Sequence, residues 1–196
     1  MTSPDLSFVL GGARSGKSRY AEQLAQRRAA ELALPVTYVA TAREAGDAEF
    51  AARIAHHRAR RPAQWGLMEA GVDLAGAIAD ADASGACILV DCLTLWLAGV
   101  LCPAEGLADA GDAEASGAAT DIDTHIDALE TALARVQRPV IVVSNEIGLG
   151  VVPMGAVTRR YVDELGRLNQ RIAALAHEVT LMVAGLPMTI KGGADR

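Results

Sequence analysis

Eight consecutive residues, Gly11-Gly12-Ala13-Arg14-Ser15-Gly16-Lys17-Ser18, restrict what this 196-residue chain can fold into more than any other feature. They fill the pattern G-x-x-x-x-G-K-[ST] completely. The apolar run Leu6–Leu10 leads into them, and a helical pattern over Ser18–Ala33 leads out. Glycines let successive backbone N–H groups turn toward phosphate oxygens, and the positive end of the following helix points the same way. In such a loop Lys17 meets the β- and γ-phosphates, and the Ser18 hydroxyl holds Mg²⁺. The strand-loop-helix context argues against a chance glycine-rich turn. The motif marks a nucleoside triphosphate site. By itself it does not choose between a kinase, an ATPase and a GTP switch.

The rest of the chain supplies a matching scaffold. Short apolar runs at Leu6–Leu10, Val36–Thr41, Cys87–Asp91, Val140–Ser144 and Val179–Ala184 lack polar alternation, as strands covered on both faces do. Helical patterns lie between them, at Ser18–Ala33, Asp47–Arg61, Val72–Asp82, Leu93–Cys102, Ile122–Val136 and Thr158–His177. The alternation predicts an α/β fold with a mostly parallel central sheet and helices on both faces. In the last helix Tyr161, Leu165, Leu168, Ile172 and Leu175 form one apolar stripe. Arg160, Asp163, Arg167 and Gln170 fall on another face, either solvated or lining a site. The length suits one domain, 1–196. Residues 103–120 are rich in Ala, Gly and Asp and read as a mobile surface loop. The tail Lys191–Arg196 reads as frayed.

Composition removes several function classes. The formal net charge is −6, which disfavours binding a nucleic-acid backbone. No apolar run is long enough to span a membrane, and the N-terminus does not read as a secretory signal. Cys87, Cys92 and Cys102 match no zinc spacing and read as reduced thiols of a cytoplasmic protein.

Three further segments carry chemistry. CILVD, Cys87–Asp91, ends an apolar strand in a carboxylate, the pattern by which Asp91 serves Mg²⁺ beside a phosphate loop. On the Asp47–Arg61 pattern, His57 lies on the line of Phe50 and Ile54, whereas His56 shares a face with Arg53 and Arg60. An imidazole between two guanidiniums stays neutral and keeps a lone pair for attack on phosphorus. The same spacing also fits a solvated basic face with a bystander histidine, and both readings stand on spacing alone. SNEIGLGVVP, Ser144–Pro153, leaves a strand at the end that faces the ligand crevice of an open α/β sheet. Asn145 and Glu146 there are candidate contacts, or merely a polar turn.

These segments, taken with YVATA (Tyr38–Ala42), DAEFAARIAHHRARRPAQW (Asp47–Trp65), LVDCLTLWL (Leu89–Leu97) and RRYVDELGRLNQRIA (Arg159–Ala173), resemble the signatures of the adenosylcobinamide kinase / adenosylcobinamide-phosphate guanylyltransferase family of cobalamin biosynthesis. They occur in the family's order from about Leu6 to Lys191, and residues 103–120 fall outside every signature. The resemblance implies a P-loop NTPase fold of the RecA-like kind. It implies phosphorylation of the aminopropanol hydroxyl of adenosylcobinamide, with ATP or GTP as donor. Transfer of GMP from GTP to that phosphate follows, through a guanylylated histidine, and His56 is the residue that matches.

By position, the resemblance assigns nucleotide contacts to Gly11, Gly12, Ala13, Arg14, Ser15, Gly16, Lys17 and Ser18, to Thr41, Ala42 and Arg43, to His57, Arg58, Ala59 and Arg60, and to Glu69 and Asp91. Ser18 and Asp91 would hold Mg²⁺, and Lys17 and His56 would be catalytic. The partners it implies are the corrinoid, GTP and ATP, and further copies of the chain, a trimer being the family's usual form. Asp91 stands where some relatives have Glu. Three other readings make different predictions. A small-molecule kinase would form no covalent nucleotide adduct. A GTP-binding switch would bind without transfer, and the chain has no N-K-x-D guanine-reading segment. A chain with only one of the two activities would carry the same fold.

Overall fold

The computed structural model describes residues 5–41, 62–101 and 122–192. The elements in chain order are β1 (Leu6–Gly11), α1 (Lys17–Leu32), β2 (Val36–Ala40), β3 (Gly66–Glu69), α2 (Leu74–Ala83), β4 (Cys87–Asp91), α3 (Leu93–Leu101), α4 (Ile122–Arg135), β5 (Val140–Asn145), α5 (Ala156–Leu175), β6 (Glu178–Val183) and β7 (Leu186–Lys191). The strands form one seven-stranded sheet in the order β3-β2-β4-β5-β1-β6-β7. Every neighbouring pair is parallel except β6 with β7. One strand, β5, therefore separates the strand that delivers the phosphate loop from the strand that ends in Asp91. This is the expected mostly parallel α/β sheet with helices on both faces.

The apolar runs of β1, β4 and β5 lack alternation because both of their faces are covered. Phe8, Val90 and Val142 pack into a core with residues of α2, α3, α4 and α5, among them Ile78, Trp96, Leu129 and Leu168. Val9, Leu89, Ile141 and Val143 face the other way and pack against Ala21, Leu24 and Ala25 of α1. Burying a Leu- or Phe-sized side chain contributes about 1.5–3 kcal/mol, so these two cores hold the sheet rigidly enough to fix the loops at its edge. The stripe read on the last helix is the buried face of α5, with Tyr161, Leu165, Leu168 and Ile172 enclosed. Arg160, Asp163, Arg167 and Gln170 are exposed, so that face is solvated.

Two strands escaped the sequence reading. β3 is four residues long and mostly exposed, too short for a pattern to show. β7 carries Pro187, which suits an edge strand where a missing N–H harms no ladder. It joins β6 through Ala184 (φ 52°) and Gly185 (φ 83°), the two left-handed positions that a tight hairpin turn needs. Its alternating Leu186, Met188 and Ile190 are exposed, at 71%, 53% and 58%. The helix read over Asp47–Arg61 and the loop read at 103–120 lie outside the described residues. Lys191, read as part of the tail, closes β7.

Candidate nucleotide site

The C-terminal ends of the parallel strands converge on one edge of the sheet. The register sets Gly11 beside Asn145, Asp91 beside Val143, and Ala40 beside both Asp91 and Glu69. The phosphate loop leaves β1 there. Gly16 adopts a left-handed conformation (φ 93°) that disfavours any residue with a Cβ, and α1 begins at the next residue. The first turn of α1 carries no acidic side chain, so its positive end is left for an anion. Ser15 N–H donates to Gly12 O at 3.2 Å, and Lys17 Nζ donates to the same oxygen at 3.1 Å. The loop is thus curled upon itself, with Gly12, Ala13 and Arg14 exposed at its rim.

The loop is braced from behind by the hairpin that the sequence reading missed. Gly185 N–H donates to Ser15 O at 3.0 Å. Gly11 lies so close to β6 that a Cβ on it would stand 2.8 Å from Met182 O. Burial pushes the Lys17 ammonium below its usual pKa, and the nearby Cys92 and Asp91 oppose that shift. A triphosphate would oppose it further, so Lys17 is poised to gain from an anionic ligand.

Asp91 is oriented by Tyr38, whose Oη donates to Asp91 Oδ2 at 2.9 Å. Tyr38 is buried on β2, so this phenol is a fixed partner for the carboxylate. Thr41 is also buried, and its hydroxyl clamps the adjoining strand end. It donates to Cys92 O at 2.7 Å and accepts from Cys92 N–H at 2.8 Å. The structure therefore gives Thr41 a main-chain role at the crevice floor, which its place in the sequence did not reveal. Cys92 is enclosed beneath Asp91, and burial pushes its thiol up to about 11, so it stays protonated near neutrality. Glu69 ends β3 on the exposed rim, beside Ala40.

The candidate donors for a metal are a hydroxyl, Ser18, and a carboxylate, Asp91. Such hard oxygen donors suit Mg²⁺, which takes one or two protein oxygens and completes its shell with phosphate oxygens and water. Among the described residues no cluster of three His, Cys, Asp or Glu side chains could hold a metal. Cys87 and Cys92 are free and buried. Ala42, Arg43, His56, His57, Arg58, Ala59 and Arg60 lie outside the described residues, as does Cys102. Gly11 to Ser18, Thr41, Glu69 and Asp91 all sit on the one sheet edge.

The chain is similar to known proteins along nearly its whole length. Residues 7–190 match the family described as Cobinamide kinase / cobinamide phosphate guanyltransferase. The bifunctional adenosylcobalamin biosynthesis protein CobP of Pseudomonas aeruginosa is 50% identical over 185 residues, covering 94% of this chain and 96% of that protein. The bifunctional adenosylcobalamin biosynthesis protein CobU of Salmonella typhimurium is 39% identical over 184 residues, covering 94% and 98%. The crystal structure of the flagellar accessory protein FlaH of Methanocaldococcus jannaschii aligns with a TM-score of 0.50 at 15% identity, over 97% of this chain and 80% of that one, a likeness of fold alone. With its phosphate loop, its Asp91-bearing strand and this match along nearly its whole length, the chain belongs to the cobinamide kinase / cobinamide phosphate guanyltransferase family.

Proposed function

We propose that this chain phosphorylates adenosylcobinamide and then transfers GMP from GTP to the product, through a guanylyl-histidine at His56. The observation that carries the proposal is the family match over residues 7–190, joined to an intact phosphate loop on the crevice edge.

In the kinase step the acceptor hydroxyl forms a bond to the γ-phosphorus, and the bond from that phosphorus to its bridging oxygen breaks. The hydroxyl proton leaves to solvent. This chemistry needs positioning and charge neutralisation rather than a covalent protein group. The loop N–H groups and Lys17 supply both, and Asp91 is held for its part by Tyr38. Mg²⁺ bound at Ser18 and Asp91 would neutralise charge on the phosphates.

In the guanylyl step a His56 ring nitrogen bonds to the α-phosphorus and pyrophosphate departs with the bonding electrons. The corrinoid phosphate then attacks the same phosphorus, and the P–N bond breaks. One difficult displacement is split into two. Arg58 and Arg60 follow His56 closely in sequence and would offset charge on the phosphates. Ala42, Arg43, His57 and Ala59 complete the nucleotide contacts, with Thr41 at the floor of the crevice and Glu69 at its rim.

A homo-oligomer, trimeric as in the family's usual form, fits the exposed apolar face of β7. An edge strand with no second neighbour among the described residues, and with Leu186, Met188 and Ile190 outward, is the kind of surface that a second copy covers. We place the protein in the cytoplasm, since cobalamin assembly draws on GTP and ATP. Among the described residues no helix is long and apolar enough to cross a membrane.

Product analysis tests the proposal. Adenosylcobinamide with Mg²⁺ and GTP should yield adenosylcobinamide phosphate and then adenosylcobinamide-GDP, and Lys17→Ala should yield neither. Nucleotide binding without either corrinoid product would leave only the binding-protein reading.

A further inference from the structure

Asn145 ends β5, and its main chain is gripped from two sides. Its N–H donates to Thr94 Oγ1 at 2.9 Å, and its carbonyl accepts from Asn169 Nδ2 at 3.0 Å. Thr94 is itself fixed, because Tyr161 Oη donates to its carbonyl at 2.8 Å. Thr94, Tyr161 and Asn169 are all buried. Three side chains from α3 and α5 therefore lock the backbone of one residue.

The side chain of Asn145 has no such restraint. Its Oδ1 is enclosed without a donor, and its amide nitrogen makes no hydrogen bond among the described residues. Leaving a buried amide oxygen unpaired costs about 1–3 kcal/mol. Asn169, whose Oδ1 is likewise enclosed without a donor, spends its Nδ2 on the Asn145 carbonyl, whereas the Nδ2 of Asn145 has no such bond among the described residues. The backbone is anchored and the amide head is left unbonded.

Its place says what the head meets. Along β5, Ile141 and Val143 face α1, and Val140 and Val142 face the opposite core. The same alternation carries Asn145 to the α1 side. On β4, Cys87 and Leu89 face α1, which carries Asp91 to that side as well. Gly11 flanks β5 at Asn145, and Asp91 flanks it at Val143. The amide stands at the sheet edge between the phosphate loop and Asp91.

We infer that Asn145 is a further catalytic residue of the kinase step, its amide N–H donating to the γ-phosphoryl group as that group passes to the acceptor hydroxyl. The inference rests on the kinase reading above. In the transfer, charge spreads over the three equatorial oxygens of the moving phosphoryl. A neutral donor fixed beneath them stabilises that charge without adding to the cationic Lys17. The bond changes are those of the kinase step, and Asn145 neither gains nor loses a proton. The α-phosphorus chemistry of guanylyl transfer takes place two phosphates away, beyond the β-phosphate, and does not call on this amide.

The test compares the two reactions in Asn145→Ala and Asn145→Asp, the latter keeping the shape while removing the donor. For both variants, kcat for corrinoid phosphorylation should fall about a hundredfold, as for removal of one transition-state donor. In Asn145→Ala, KM for the nucleotide and protein labelling from α-labelled GTP should stay within about threefold of wild type, whereas the carboxylate of Asn145→Asp also repels the phosphates and raises KM. A folded Asn145→Ala enzyme with kinase kcat within about threefold of wild type would overturn the inference. So would an equal loss in both reactions with a matching fall in melting temperature, because that is what a structural role predicts. A wild-type chain that never phosphorylates the corrinoid would overturn the kinase reading and this inference together. An active wild type with an unaffected Asn145→Ala would overturn this inference alone.

Discussion

A single methyl group at Gly11 tests whether the phosphate loop is braced as described. In Gly11→Ala the new Cβ would lie 2.4 Å from Ser15 Oγ, 2.8 Å from Met182 O and 3.1 Å from Met182 Cβ. The Ser15 hydroxyl can rotate away. The Met182 carbonyl cannot, because β6 is pinned between the ladders to β1 and to β7. The end of β1 must therefore move, and the loop moves with it. Overpacking of this kind destabilises by about 1–3 kcal/mol. For a chain of this size that is a fall of roughly 2–12 °C in melting temperature. Gly12→Ala is the matched control, since a Cβ there meets nothing within 4 Å. It should change the stability of the nucleotide-free protein by less than about 0.5 kcal/mol. Thermal unfolding without nucleotide, followed by circular dichroism, reads both variants. GTP titration should then show Gly11→Ala binding about tenfold or more weakly, the effect of about 1.4 kcal/mol spent on restoring the loop. A Gly11→Ala protein that melts within about 1 °C of Gly12→Ala would refute the bracing by β6.

Other perturbations reach other parts of the account. Tyr38→Phe removes the donor to Asp91 Oδ2, so stability should fall by about 0.5–1.5 kcal/mol, and half-maximal activity should need more Mg²⁺, read from a metal titration of the kinase rate. Burial pushes the thiols of Cys92 and Cys87 from an ordinary 9.0 up to about 11 and about 12. Below 9.0 both thiols are protonated folded or unfolded, and their contribution to stability is intact. Above it the unfolded chain loses protons first, so stability falls as pH climbs toward about 11 and about 12. Urea unfolding across that window should show a steeper decline in the wild type than in Cys87→Ala/Cys92→Ala. Met188→Lys/Ile190→Lys should sediment as a smaller species than the wild type if β7 is the self-association face, and unchanged sedimentation would move the interface elsewhere.

Residues whose role depends on local sequence were readable before the fold was known. Gly11 to Ser18 carry their geometry with them, because a loop of eight residues needs only its own glycines and the helix after it. The place of Asp91 at a strand end was readable because CILVD is an apolar run that stops at a carboxylate. The α5 stripe was readable because apolar residues recurring every three or four positions line one face of a helix. What failed depends on partners far away in sequence. Tyr38 looks like an ordinary core tyrosine until β2 is placed beside β4. The clamp of the Thr41 hydroxyl on the main chain of Cys92 joins residues 51 positions apart. The grip on Asn145 joins residues 24 and 51 positions away. β7 was missed although Leu186, Met188 and Ile190 alternate, because Pro187 masked the pattern. His56 could be singled out by its spacing from two arginines, but spacing also allowed a bystander, and the role proposed for it follows from the family resemblance of the surrounding segment.

That role is the central claim, and a labelling experiment tests it most directly. The protein is incubated with Mg²⁺ and GTP labelled at either the α- or the γ-phosphate, then denatured and examined for bound label. Protein-bound label should come from the α-phosphate only, labile to acid and stable to alkali, as a phosphorus–nitrogen bond is. It should be lost in His56→Ala and kept in His57→Ala. GTP that binds tightly yet leaves no α-label on the wild-type protein would contradict the guanylyl-histidine route.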